Sequence, residues 1–196
     1  MKIAIIGSGF FGLIISLVLS KSHKVHLFEK EKDILNGASK INQFRFHLGF
    51  HYPRSPETIR EIKSSEKLFK KFFPNDIFGK TKNYYAIANK DSKITFDKYL
   101  EILKKFKLEF KIKKNTKFKK ISNLILTKEK ILNYFTFKKI LKKKILASNV
   151  ELFLNKKFNK KKIHLYDKII ICGYSQNNQI LNEMGLKKNI TKYRYE

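Results

Sequence analysis

The chain has 196 residues, enough for one sizeable core or for one domain with a second, smaller lobe. Its hydrophobic content of 42% and aromatic content of 14% exclude a globally disordered chain. The formal net charge of +28 points to an anionic partner. However, nearly all of the 44 basic residues are lysines, and arginine is the better ligand for phosphates and bases. We therefore interpret the charge mainly as background composition on solvated faces.

The N-terminal segment predicts a buried strand followed by a helix. A continuous apolar run over residues 2–6 predicts the strand, which ends at Gly7. Residues 10–21 are apolar nearly all round, as expected of a helix that packs on a sheet. A signal peptide or a short membrane span is the alternative for residues 3–19, but glycines interrupt this stretch and no small-residue cleavage site follows it. Residues 24–29 predict a second strand.

The next segment combines a long loop with a well-delimited helix. Residues 33–54 lack periodicity and are rich in polar and ring side chains, which predicts a functional loop. Ser55 is the predicted N-cap of a helix with Pro56 at its first position. That helix is expected to run to about Phe73, where Pro74 closes it.

The remaining chain predicts short strands and amphipathic helices, and then a second very apolar strand over residues 167–173. The intervening elements are a strand over 84–88, a helix over 95–106, short strands over 108–112, 118–121 and 124–126, a lysine-rich helix over 135–146, a strand over 150–154 and a basic turn over 156–162. The last strand holds the single cysteine, Cys172, which we expect to be buried and inert. One cysteine excludes an internal disulfide and a multi-cysteine zinc site, and it favours a reducing, cytoplasmic location.

A βαβ unit comes first, a long stretch of mixed short strands and helices follows, and a buried strand comes last. This order predicts an α/β fold: a Rossmann-like domain with a parallel sheet, interrupted by a smaller α+β lobe. We expect residues 1–80 and 167–185 to form the dinucleotide-binding domain and residues 81–166 to form the inserted substrate lobe. The alternating residues at the end of the chain, within 186–196, are interpreted as the start of a further segment.

A glycine-rich motif joins the first strand to the first helix. Gly7, Ser8, Gly9, Phe11 and Gly12 belong to the hexapeptide GSGFFG, which matches G-x-G-x-x-G in the context that the motif requires. The first glycine allows the tight turn, the second leaves room for a pyrophosphate, and the third lets the helix approach the strand. Free N–H groups at the helix start then face the anion.

An acidic residue completes the dinucleotide pattern. Glu29 ends the second predicted strand, where a carboxylate accepts hydrogen bonds from the adenosine ribose hydroxyls and repels a 2′-phosphate. FAD or NAD is therefore favoured over NADP. The alternative is that the glycines fall at this spacing by chance and that the acid is a surface residue.

Three stretches together are similar to a known family: GSGFFG with HLFEK, GASKINQFRFHLGFHYPRS, and DKIIICGYS. They resemble the FAD-dependent oxidoreductases of the D-amino-acid oxidase (DAO) type, over residues 1–60 and again at 167–181. The resemblance implies FAD as the cofactor and a nucleotide domain interrupted by a substrate lobe. It also implies further FAD contacts beyond the glycine motif, at Lys30, Gly37, Ala38, Ser39, Asn42 and Gly173. At the last of these positions Cys-Gly-Tyr replaces the more usual Ala-Thr-Gly.

The densest group of polar and ring residues in the chain is Arg45, His47, His51, Tyr52 and Arg54. The resemblance implies that the segment HLGFHY lies near the flavin ring. A cation or histidine there stabilises negative charge on the reduced flavin or holds a substrate carboxylate, so the first four residues are candidate catalytic groups. The alternative is that they only satisfy backbone groups of a long loop. Because a flavin carries the redox chemistry, neither a protein nucleophile nor a metal is required, and no cluster has metal-ligand spacing.

Three functions follow from these patterns. The first is a flavoenzyme that oxidises a C–N or C–O bond of a small polar substrate. The second is a non-catalytic nucleotide-binding fragment, or one half of a split flavoprotein completed by a second chain, since members of the family run longer. The third is a basic nucleic-acid-binding protein, which predicts steeply salt-dependent binding. An NAD-dependent dehydrogenase would need a hydride-transfer site after the first domain, and we see none in the sequence.

Overall fold

A computed structural model describes residues 1–114 and 118–186, and the chain divides into two compact units. The first unit combines Met1–Asn42 with Phe135–Glu196, and the second is Gln43–Tyr134. The α-helices are α1 (Phe10–Leu19), α2 (Pro56–Phe72), α3 (Phe96–Lys105), α4 (Tyr134–Leu146) and α5 (Asn177–Glu183). The strands are β1 (Lys2–Ile6), β2 (Lys24–Phe28), β3 (Arg45–Phe46), β4 (Asn83–Ala88), β5 (Phe110–Lys114), β6 (Ile121–Thr127), β7 (Lys130–Ile131), β8 (Val150–Phe153) and β9 (Lys168–Ile171).

The first unit is built on a parallel four-stranded sheet in the order β8-β2-β1-β9. Ile3, Ala4 and Ile5 of β1 are at most 2% exposed, because a central parallel strand is covered on both faces. Helix α1 buries Leu13 and Ser16 and leaves Phe11 exposed. The chain builds the sheet outward from β1 to β2 and β8, and then returns to the other side of β1 with β9. The order reverses between β1 and β9, and the carboxyl ends of these strands share one edge, which is where open α/β sheets bind ligands.

The parallel sheet confirms the predicted α/β class, but its boundaries differ from the predicted ones. Strand β8 lies within the segment assigned to the inserted lobe, yet it pairs with β2 in parallel, Val150 against Val25 and Phe153 against Phe28. Sequence periodicity does not reveal such long-range pairing. Strand β9 is half-buried rather than fully buried, because it occupies the edge of the sheet formed by the described residues.

The second unit has an antiparallel sheet in the order β4-β6-β5, with β3 and β7 pairing separately. Its core joins the sheet to α2 and α3 through six buried residues: Phe50, Ile59, Tyr99, Leu103, Leu108 and Ile125. The long loop therefore contributes Phe50 to this core, and α2, which was predicted to belong to the nucleotide domain, also belongs to this unit.

Two local predictions also differ in detail. The segments 118–121 and 124–126 are not separate strands, because residues 121–127 form the single strand β6. Lys120, which has a positive φ, ends the turn that precedes β6. Ser55 takes the N-cap position of α2, but its hydroxyl bonds the Thr58 hydroxyl at 2.8 Å instead of a backbone N–H. The expected further segment falls almost wholly outside the described residues. Within them, no helix has the length and apolarity needed to span a membrane.

Candidate dinucleotide site and polar cluster

The glycine-rich turn leaves β1 at Gly7, whose φ of 102° is in the left-handed region that favours glycine. A Cβ at this position would lie 2.6 Å from the Cys172 carbonyl oxygen, closer than real contacts allow. The Gly7 N–H donates to the Phe28 carbonyl at 2.8 Å, which ties the turn to the end of β2. The turn is therefore fixed between the carboxyl ends of β2 and β9.

Helix α1 begins directly at this turn. A Cβ at Gly12 would lie 1.9 Å from the Gly7 carbonyl oxygen, so only glycine lets the helix sit this close to the strand end. The N-cap is Gly9, which has no side chain to satisfy the helix start, and the first intrahelical bond runs from the Leu13 N–H to the Gly9 carbonyl at 3.0 Å. The earlier N–H groups of a helix have no intrahelical acceptor, which makes this end suited to an anion.

Glu29 stands at the end of β2 with its carboxylate turned toward the glycine-rich turn. Its Oε2 accepts hydrogen bonds from the Ser8 N–H at 2.8 Å and from the Ser8 hydroxyl at 2.7 Å. Its Oε1 accepts from the Glu31 N–H at 3.0 Å. The carboxylate is thus held beside the helix start, and Oε1 retains a lone pair for a further donor such as a ribose hydroxyl.

The loop after β2 folds back onto the same place. The Leu35 N–H donates to the Ser8 carbonyl at 3.0 Å, and Ser39 Oγ accepts from the Phe10 N–H at 3.2 Å. Lys138 and Lys142 of α4 pair with Asp33 at 3.1 and 3.0 Å and hold the start of the loop. Burial alone would raise the pKa of Asp33, but its hydrogen bonds from the two lysines and the Ile34 N–H bring that pKa below its ordinary value.

The other predicted cofactor residues take different positions. Gly173 follows β9, and its backbone N–H nitrogen would lie 3.5 Å from a Cβ at Gly7, so it borders the turn. Phe11 is 73% exposed, and Lys30 and Asn42 are also exposed. The structure therefore brings together the three motif glycines, Ser8, Glu29, Ser39 and Gly173.

Cys172 contributes to this edge through its backbone. Its N–H donates to the Ile6 carbonyl at 2.7 Å, which continues the pairing of β9 with β1. Burial raises the pKa of the Cys172 thiol above its ordinary value, so little thiolate forms near neutral pH. Its side chain is nevertheless only half-buried, less than the sequence predicted.

In the second unit, the predicted catalytic residues do lie together. The ring centroids of His47 and His51 are 5.5 Å apart, and those of His51 and Tyr52 are 5.2 Å apart. Arg45 stacks on Tyr85, with its guanidinium carbon 5.0 Å from the ring centroid, and its Nη1 lies 3.4 Å from the Tyr85 hydroxyl. We call Arg45, His47, His51 and Tyr52 the polar cluster; Arg54 is exposed.

Sequence reasoning missed a buried carboxylate beside the polar cluster. Glu129 is 2% exposed, and it accepts hydrogen bonds from the Leu48 N–H at 2.8 Å and from the Tyr85 hydroxyl at 2.6 Å. The residue lies in the stretch LTKEKIL, whose lysines suggest a solvated surface. The alternation of buried residues along β6, Ile125 and Thr127, continues to Glu129 and was the available signal.

The electrostatics of this carboxylate depend on its neighbours. Burial raises the pKa of Glu129, but His47, the Tyr85 hydroxyl and the Leu48 N–H together hold it below its ordinary value. Burial, with Glu129 adding to it, raises the pKa of Tyr85 far above its ordinary range, so this hydroxyl remains a donor. Among the described residues, no group of three or more histidines, cysteines, aspartates or glutamates is arranged to hold a metal ion.

Comparison with known proteins agrees with this geometry. The family model described as an NAD(P)-binding Rossmann-like domain matches residues 5–72, which include the glycine-rich turn and Glu29. Among curated proteins, the chain is 33% identical over 103 residues to FAD-dependent monooxygenase FPY4 of Fusarium mangiferae, a match that covers 52% of this chain and 28% of that protein.

Solved structures of two oxidases share the fold. Glycine oxidase from Geobacillus kaustophilus superposes with a TM-score of 0.75 at 10% identity, covering 94% of this chain and 58% of that one. Dithionite-reduced L-α-glycerophosphate oxidase from Mycoplasma pneumoniae, solved with FAD bound, gives a TM-score of 0.55 at 18% identity, covering 79% and 44%. These similarities confirm the predicted Rossmann-like fold. The chain spans little more than a quarter of the curated relative and about half of each solved structure.

Proposed function

We propose that this chain, which has the fold of the DAO-type flavoproteins, binds FAD in its first unit and serves the oxidation of a C–N or C–O bond in a small polar substrate. The observation that carries the proposal is the close approach of Gly12 to Gly7 at the reversal point of the sheet, with Glu29 held beside it. This combination provides a helix start for a pyrophosphate and a carboxylate for a ribose.

The residues at this edge fit the cofactor. The pyrophosphate would be held by the N–H groups at the start of α1, whose N-cap, Gly9, has no side chain between them and the anion. Glu29 would accept hydrogen bonds from the adenosine ribose, and its charge disfavours a 2′-phosphate. Ser39 and Gly173 border the same turn and are proposed as further contacts.

The names of the similar proteins favour FAD over NAD. FPY4 is called an FAD-dependent monooxygenase, and the glycerophosphate oxidase was solved with FAD bound. Glycine is oxidised at a carbon that bears nitrogen, and glycerophosphate offers alcohol C–O bonds, so the two solved oxidases span the two bond types proposed here. When bound, FAD accepts the two electrons that leave the substrate.

The polar cluster of the second unit is proposed to act on the substrate. Arg45 and His47 are cationic or potentially cationic groups suited to an anionic substrate group, while His51 and Tyr52 supply a base and a hydroxyl. These residues belong to the second unit, although the sequence analysis assigned them to the dinucleotide-binding domain over residues 1–80.

Calorimetric titration of the purified chain with FAD, NAD and NADP tests the cofactor assignment. We expect FAD to bind with a stoichiometry near one, NAD to bind more weakly, and NADP to show no binding. The FAD-loaded chain is then mixed anaerobically with small amino acids and hydroxy acids, and loss of visible flavin absorbance identifies a substrate. Binding of NADP but not of FAD would contradict the proposal.

A second candidate is a non-catalytic nucleotide-binding protein completed by another chain. The half-buried β9 favours it, since the described residues form a sheet in which this apolar strand has a neighbour on one side only. In that case FAD binds without turnover of any substrate. A cytoplasmic location also remains a proposal, resting on the single cysteine.

A further inference from the structure

Ser8, the second residue of the glycine-rich turn, has all of its polar groups engaged. It is 0% exposed. Its N–H donates to Glu29 Oε2 at 2.8 Å, and its hydroxyl donates to the same oxygen at 2.7 Å. Its carbonyl accepts from the Leu35 N–H at 3.0 Å. The Ser8 hydroxyl is therefore fixed in one direction, toward Glu29.

Glu29 is also fixed from its own side. Its N–H donates to the Phe153 carbonyl at 2.9 Å, and its carbonyl accepts from the Lys156 N–H at 2.7 Å, so its backbone is held at the end of β8. Its Oε1 accepts from the Glu31 N–H at 3.0 Å. A rotation of the carboxylate away from the turn would break this bond and both bonds from Ser8.

These contacts determine how many further hydrogen bonds the Glu29 carboxylate can accept. Each carboxylate oxygen has two lone pairs. The two donors of Ser8 occupy both of them on Oε2, and the Glu31 N–H occupies one on Oε1. One acceptor position remains, on Oε1. Because an adenosine ribose offers two hydroxyls, the carboxylate can receive only one of them at this position.

A ribose hydroxyl gains little by displacing the Ser8 hydroxyl from Oε2. The exchange replaces one hydroxyl–carboxylate bond with another, and it leaves the fully buried Ser8 hydroxyl without its acceptor. An unsatisfied buried donor costs more free energy than a typical hydrogen bond contributes. The contact between Ser8 and Glu29 should therefore persist when a nucleotide binds.

We propose that Ser8 is a positioning residue that sets specificity: by occupying Oε2 it limits Glu29 to one ribose hydroxyl, so the site accepts an adenine dinucleotide that lacks the other. The inference rests on the proposed function, because it concerns how Glu29 recognises the adenosine ribose of FAD. It narrows the expectation from the sequence, in which the acid accepts from the ribose hydroxyls without distinction.

A purely structural role for Ser8 makes a different prediction. If its hydroxyl only tied the turn to the end of β2, its loss would weaken the binding of every nucleotide by the same factor. Under the proposal, the loss frees an acceptor position on Oε2 while the Ser8 N–H still holds the carboxylate. The ratio between the affinities of two nucleotides then changes, and this ratio separates the two roles.

The first measurement is calorimetric titration of the wild type with FAD and with two FAD analogues, whose adenosine ribose lacks either the 2′- or the 3′-hydroxyl. We expect one analogue to bind within about twofold of FAD and the other to bind about tenfold more weakly. Equal weakening of both analogues, or of neither, would overturn the proposal while FAD binding stands. Failure of FAD itself to bind would contradict the proposed function, and this inference with it.

The second measurement repeats the titrations with Ser8→Ala, which removes the hydroxyl and keeps the N–H. The analogue that the wild type binds as well as FAD should now bind about tenfold more weakly than FAD, because both hydroxyls of FAD then bond the carboxylate. Ser148→Ala is the matched control, since the Ser148 hydroxyl donates to the Ile145 carbonyl at 2.7 Å, and its ratios should equal those of the wild type.

Ratios in Ser8→Ala that equal those of the wild type would overturn the proposal. The wild-type titrations need no variant, so they remain decisive if Ser8→Ala does not fold.

Discussion

Gly12 approaches Gly7 so closely that a Cβ on Gly12 would lie 1.9 Å from the Gly7 carbonyl oxygen. The contact brings the start of α1 against the end of β1. It accounts for a glycine at the third position of the motif by shape alone, independently of any ligand. The first prediction concerns this contact.

Gly12→Ala should lower the free energy of unfolding by about 1–3 kcal/mol, because the added methyl group forces the helix away from the strand. Gly37→Ala is the control, since Gly37 has an ordinary φ of −83° and no atom within 4 Å of its missing Cβ. It should change stability by less than about 0.5 kcal/mol. Urea unfolding of both variants provides the measurement, and equal stabilities would show that the contact is not tight.

The Glu29 carboxylate should contribute more to FAD affinity than the carboxylate of nearby Glu31 does. Hydrogen bonds to a charged group are worth about 1.5–3 kcal/mol, so Glu29→Ala is expected to weaken FAD binding by about ten- to a hundredfold. Glu31→Ala is the control, because Glu31 contributes its backbone N–H to Glu29 rather than its side chain. Calorimetric titration measures both, and the assignment fails if the two variants bind FAD equally.

His26 gives the first unit a pH dependence. Burial lowers the pKa of His26 below its ordinary value of 6.5, and Lys2 and Lys24 act in the same direction against the opposing effect of Glu151. The folded chain thus resists protonation that the unfolded chain accepts. Stability should fall as the pH drops below about 6.5, and it should be restored above that value.

The variant His26→Gln should flatten this dependence between about pH 5 and about pH 7.5. His164→Gln is the control, because His164 is exposed and lies on the short 3-10 helix before β9. Urea unfolding at the two pH values gives the slope for each variant. A slope in His26→Gln that matches the wild type would show that another group titrates.

Tyr99 anchors the loop that carries the polar cluster. It is 1% exposed, and its hydroxyl donates to the Phe50 carbonyl at 2.7 Å, next to His51. Tyr99→Phe leaves that carbonyl without its donor and should lower the free energy of unfolding by about 1–2 kcal/mol. Tyr84→Phe, at a residue 42% exposed, should change it by less than about 0.5 kcal/mol. Similar losses in the two variants would argue against the anchor.

The sequence predicted those features that depend on residues close to one another along the chain. Gly7, Gly12 and Glu29 follow each other in one βαβ unit, so their spacing alone specified the turn and the acid. The pairing of β8 with β2 joins residues more than a hundred positions apart, and no local pattern predicts it. Glu129 was missed for a related reason: its flanking lysines suggested an exposed turn, while its burial depends on His47 and Tyr85 from other segments.

The visible absorption spectrum of the purified chain, with the released cofactor identified by chromatography, tests the central proposal most directly. We expect flavin bands close to stoichiometric with protein, either as purified or after incubation with FAD, and release of FAD on denaturation. A folded chain that is colourless and takes up no added FAD would contradict the proposal that the glycine-rich turn and Glu29 form an FAD site.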